Sequence, residues 1–135
     1  MRADMRTINF AMTITKVGFN VTNGTGGNIT IGIYGPTGAT GAVLLSGFFL
    51  ANTVSGYNIN NLSSTLSVTA GSTIYIVVSA DTISQYSAFN TISVHAMCWR
   101  NQAGVTDGSA PPSTITLTPL AGRTGNTQRF CIDFI

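Results

Sequence analysis

The stretch Thr73-Ile74-Tyr75-Ile76-Val77-Val78-Ser79 decides the fold. Ile74, Ile76 and Val78 share one phase of a period-two pattern, and Tyr75 and Val77 take the other. A strand that is apolar on both faces belongs in the middle of a sheet with cover on each side. The same alternation marks three further core strands. Val17, Phe19 and Val21 form one; Ile29, Ile31 and Ile33 form another; Phe130, Ile132 and Phe134 close the chain, with Asp133 facing out. Weaker strands are expected at Thr7–Met12, Val43–Phe49, Tyr57–Leu62, Thr65–Thr69, Thr91–Arg100 and Thr114–Thr118.

Turn chemistry separates these runs. Asn23-Gly24-Thr25-Gly26-Gly27 reads as a hairpin loop, Gly35-Pro36-Thr37-Gly38 as a tight reversal, and Ala70-Gly71 as a strand link. Asp81–Asn90 and Asn101–Ser113 read as surface loops. No long window carries a helical stripe, and the abundant Thr, Ser, Asn and Gly are poor helix formers. The expected fold is all-β: an antiparallel β-sandwich, jelly-roll-like, of about eight to ten strands. At 135 residues it forms a single domain, 1–135, with residues 1–6 as an N-terminal arm or a frayed end.

Charge is scarce. The chain has one Lys, five Arg, four Asp and no Glu, 7% charged residues against roughly 25% in an ordinary soluble domain. Its mean hydropathy is +0.31. Either a membrane or a life packed against other protein explains such a surface. The richest apolar run, Val43 to Ala51, is broken by Ser46 and Gly47 and falls far short of the roughly 20 residues a spanning helix needs. The scattered aromatics do not form the girdles of a membrane barrel. No apolar stretch follows Arg2 and Arg6 at the N-terminus, so the expectation is no membrane partner and assembly in the cytoplasm. A net charge of +2 from dispersed groups makes no nucleic-acid footprint.

Chemistry-bearing residues are equally sparse. Asp4, Asp81, Asp107 and Asp133 sit in no recognisable carboxylate-pair context, and His95, the sole histidine, lies inside an alternating strand without a nucleophile elbow. Cys98 and Cys131 lack metal-ligand spacing and read as buried thiols, with a bridge between late strands as the alternative. The Asn23–Gly27 glycines lack the Lys and helix of a phosphate loop. Gly32, Gly35, Gly38 and Gly41 are too few triplets for a collagen helix. These features predict no enzyme, no cofactor and no metal.

Binding residues are sought among exposed aromatics, whose faces pack on sugar rings, and in the basic N-terminus. Tyr34, Tyr57, Tyr86 and Trp99 are the aromatic candidates, with Tyr86 placed in the Asp81–Asn90 loop. Arg2, Arg6, Tyr86 and Trp99 are taken forward as contacts to a protein partner or a surface glycan.

The order Ile14-Thr15-Lys16-Val17-Gly18-Phe19, Asn28-Ile29-Thr30-Ile31-Gly32-Ile33-Tyr34, Val43-Leu44-Leu45-Ser46-Gly47 and Leu66-Ser67-Val68-Thr69-Ala70-Gly71-Ser72-Thr73-Ile74-Tyr75 resembles small β-sandwich virion proteins of tailed bacteriophages. Capsid decoration (cement) proteins and tail-fibre adhesion modules are both of this kind. Ile74 departs from the pattern, standing as an extra residue before Tyr75. The resemblance covers roughly residues 7 to 80 and implies a structural role without catalytic residues. The expected function is a homotrimeric decoration protein on the capsid surface, binding the major capsid protein. The alternative is a tail-associated receptor-binding or carbohydrate-binding module.

Overall fold

The computed structural model describes residues 2–25, 27–80, 85–86, 88–91, 98–99, 110–117, 127–130 and 132–135. The described residues form twelve strands, in order: β1 (Arg2–Thr7), β2 (Met12–Thr25), β3 (Ile29–Thr37), β4 (Gly41–Leu50), β5 (Val54–Val68), β6 (Thr73–Ala80), β7 (Gln85–Tyr86), β8 (Ala88–Thr91), β9 (Cys98–Trp99), β10 (Thr114–Thr116), β11 (Thr127–Phe130) and β12 (Ile132–Phe134). No helix occurs among the described residues. The larger sheet has the order β10-β4-β3-β6-β1-β9, the smaller β12-β2-β5 with β7 also paired to β2, and β8 pairs β11 separately. All pairings among the described residues are antiparallel.

The fold is a β-sandwich with jelly-roll logic. β3 pairs β4, β2 pairs β5 and β1 pairs β6, so three strand pairs nest inside one another along the chain. Successive pairs fall on opposite sheets: the innermost and outermost in the larger, the middle one in the smaller. A full jelly roll extends the same alternation to eight strands.

Two apolar clusters hold it. Between the sheets, Ile14, Val17, Phe19 and Val21 of β2 and Leu62 and Val68 of β5 meet Ile29, Ile31 and Ile33 of β3, Phe48 of β4 and Ile74, Ile76 and Val78 of β6. The Phe19 and Phe48 rings stack at 6.0 Å. On the far side of the larger sheet, Val77, Tyr34, Ala42 and Ala3 pack with Ile115 and Leu117. β6 therefore lies centrally with both faces covered, as its two-phase pattern requires.

Several local expectations shift. Residues 2–6 are not an arm: Arg2 to Thr7 pair with Val78 to Thr73 along the whole of β1, and Ala3 and Asp4 are buried. The weak strand expected at Thr7–Met12 is accordingly displaced towards the N-terminus. β2 runs on through Thr25, so the Asn23–Gly27 turn starts late, and the β3–β4 reversal sits at residues 38–40, where Gly38 has φ +86°. Tyr57–Leu62 and Thr65–Thr69 belong to one strand, β5, which swings away from β2 between Asn61 and Leu66. There Ser46 Oγ donates to Ser64 O at 2.7 Å and accepts from Ser64 N at 3.2 Å, tying β5 to the opposite sheet.

Candidate functional site

The two sheets have different outer faces. Residues 111 and 112 pass beside Gly47 and Tyr34 on the outer face of the larger sheet, and residues 114–116 then join its edge as β10 on β4, with Ile115 and Leu117 packing with Tyr34. Tyr34, completely buried, donates its hydroxyl to Pro112 O at 2.9 Å, and Leu44 N donates to Ser113 O at 2.8 Å. A Cβ on Gly47 would stand 2.8 Å from Pro111 Cγ, so glycine lets the strap lie close. Burial pushes the Tyr34 hydroxyl up to about 12. The chain thus covers Tyr34 and its neighbours on this face with its own residues, while Phe49 of β4 stays exposed.

No described segment closes the smaller sheet's outer face. On β2 the inward phase is Val17, Phe19 and Val21, which leaves Lys16, Gly18 and Asn20 facing out. The ladder sets Asn61 beside Lys16, Ile59 and Asp133 on either side of Gly18, and Tyr57 beside Asn20. The Tyr57 side chain reaches diagonally across β2 and donates to Asp133 Oδ2 at 2.7 Å. A Cβ on Gly18 would stand 2.6 Å from Tyr57 Cζ, so only glycine lets the ring tip lie down there. Tyr57 stays 55% and Ile59 54% exposed, which leaves the side of the ring away from the sheet open to solvent. The hydrogen bond to the Asp133 carboxylate, with some desolvation, raises the Tyr57 hydroxyl above its ordinary value.

Charge is also distributed unevenly. Residues 17–80 contain no Asp, Glu, Lys, Arg or His, and they supply all of β3, β4, β5 and β6. The charged residues that are described lie on β1, at Lys16 of β2, on β11 and on β12. β5 pairs only with β2 among the described residues, so it is a rim strand of 15 residues without a charge. Val43 and Leu45 of β4 and Val54 of β5 are exposed on the same uncharged half of the chain.

The candidates from sequence fare unequally. Arg6 is half-buried and held from within: its Nε donates to buried Asp4 Oδ2 at 3.1 Å, and its guanidinium carbon lies 6.0 Å from the Phe134 ring centre. The reason is phase, since Asp4 and Arg6 pair with Ile76 and Ile74, which face the core. Asp4 is therefore a buried, ion-paired carboxylate. The backbones of Arg2 and Trp99 stand opposite each other on β1 and β9 at the larger sheet's edge. Tyr86 lies on β7 opposite Val21, in the other sheet, and not in a loop. Tyr34 is no platform because the strap covers it. His95, Asp81, Asp107 and Cys131 lie outside the described residues.

Sequence reading named Tyr57 but missed its partners Gly18 and Asp133. A glycine inside the alternating run Val17-Gly18-Phe19 was the available signal. No protein-family model, curated protein or solved structure matches the chain.

Proposed function

We propose that this chain is a non-enzymatic structural subunit that works by packing against protein neighbours, specifically a phage capsid decoration protein that binds the major capsid protein and further copies of itself. The observation that carries this reading is the uncharged half of the sandwich, residues 17–80, with the rim strand β5 and exposed Val43, Leu45 and Val54. Charged side chains must be stripped of water before two surfaces meet, and that cost can exceed the attraction gained. Interface cores are correspondingly depleted in charge. A surface of Thr, Ser, Asn, Gly and aliphatic groups meets another protein at small desolvation cost. The rim strand also offers backbone groups to a neighbour without the lysines or prolines that usually blunt an edge. The assignment to a virion rests on the resemblance of residues 7 to 80.

The test is the copy number of the chain in purified virions by quantitative mass spectrometry. Hundreds of copies per particle are expected of a decoration protein. A handful, or none, overturns the assignment.

A further inference from the structure

The Tyr57 ring is held in a manner that its structural duty alone does not require, and we propose that it is the platform of a binding site for a neutral saccharide on the outer face of the smaller sheet. Three observations converge on that chemistry. The ring is oriented in advance: its tip rests over Gly18 and its hydroxyl is tied to Asp133, so little rotational freedom is lost when a ligand stacks on it. The outward side of the ring stays open, with exposed Ile59 two residues along the same face. Polar groups suited to hydroxyls surround it. The Asp133 carboxylate has room for further donors after accepting one bond from Tyr57, Asn61 is exposed, and Lys16 stands beside it on β2.

This combination selects a sugar over other ligands. A pyranose presents an apolar C–H face to a ring and a rim of hydroxyls to carboxylate and amide groups, and sites of this type fix orientation with a few polar contacts beside an aromatic surface. An anionic ligand would meet Asp133, and among the described residues of this face a nucleic acid would find Lys16 as the one cation. The site shares β5 with the surface assigned to assembly: Tyr57, Ile59 and Asn61 line its outward face beside β2, whereas the assembly reading rests on the unpaired backbone edge of β5 and on Val43, Leu45 and Val54.

Glycan-array screening followed by isothermal titration with the best neutral oligosaccharide tests the proposal on the intact chain. Wild type should bind, Tyr57→Ala should lose at least about tenfold in affinity, and Asp133→Asn should lose less. Tyr57→Phe keeps the stacking surface and should retain most of the binding. Melting curves of each variant verify folding, and Ile59→Ser, which leaves the ring in place, serves as a second probe with an intermediate loss. Absence of binding to every neutral glycan overturns the site, as does equal affinity in wild type and a folded Tyr57→Ala. Val54→Lys, placed on the assembly surface, should leave glycan affinity unchanged while weakening assembly; the reverse pattern would show that the glycan site had been misplaced.

Discussion

Two tyrosines of this chain lie over glycines of a sheet, and they meet opposite fates. A Cβ on Gly32 would stand 3.1 Å from Tyr34 Cζ, and one on Gly18 would stand 2.6 Å from Tyr57 Cζ. Both hydroxyls donate a hydrogen bond, Tyr34 to Pro112 O and Tyr57 to Asp133 Oδ2. Yet Tyr34 is sealed under residues 110–117 while Tyr57 is more than half exposed. The local device is the same in both sheets. What differs is whether a later part of the chain comes back to cover it, so one tyrosine serves stability and the other is left available to a ligand.

The largest expected effect separates the pair directly. Tyr34→Ala should cost about 3–5 kcal/mol in urea unfolding, because it empties a packed site, whereas Tyr57→Ala should cost under about 1 kcal/mol. Equal losses would break the comparison. Next, the two aspartates should divide in the same way. Asp4→Ala removes the buried carboxylate that Arg6 pairs with and should cost about 2 kcal/mol, while Asp133→Asn on the open face should cost about 0.5 kcal/mol or less by the same measurement.

The glycines sharpen the contrast further. Gly32→Ala drives a methyl into a ring that cannot move and should cost about 1–3 kcal/mol; Gly18→Ala lets Tyr57 swing into solvent and should cost less than half as much. Near-ultraviolet circular dichroism should register that swing. At neutral pH the remaining effect is silent, because it is a pH dependence confined to alkaline solution. The native state keeps the Tyr34 proton up to about 12, whereas an unfolded tyrosine gives it up near 10. The unfolded state then binds fewer protons, so stability present below pH 10 falls as pH climbs towards 12. Tyr34→Phe should flatten that slope, at a cost of about 1 kcal/mol at neutral pH for the lost hydrogen bond.

Legibility in the sequence followed period and failed at register. Ile74, Ile76, Val78 and the matching runs of β2 and β3 were assigned to the core correctly because side chains alternate strictly along any strand. The same rule could have turned Asp4 and Arg6 inward only if β1 had been recognised, and its composition, Arg-Ala-Asp-Met-Arg-Thr, hides it behind charges. The departure of β5 from β2 between Asn61 and Leu66 leaves no mark in the residues, because it depends on Ser46 of the opposite sheet. Trp99 and Arg2 could not be paired on paper, being 97 positions apart.

By itself the sequence determined an all-β chain, the identity of its central strand, and a surface nearly empty of charge, because alternation and composition are local properties of the polymer. Which sheet face is covered depends on contacts between residues far apart in the chain. Tyr34 and Pro112 are 78 residues apart, and Tyr57 and Asp133 are 76. Contacts at such separations arise from the path of the chain and not from the neighbours of either residue, and that path buries one tyrosine and leaves the other open.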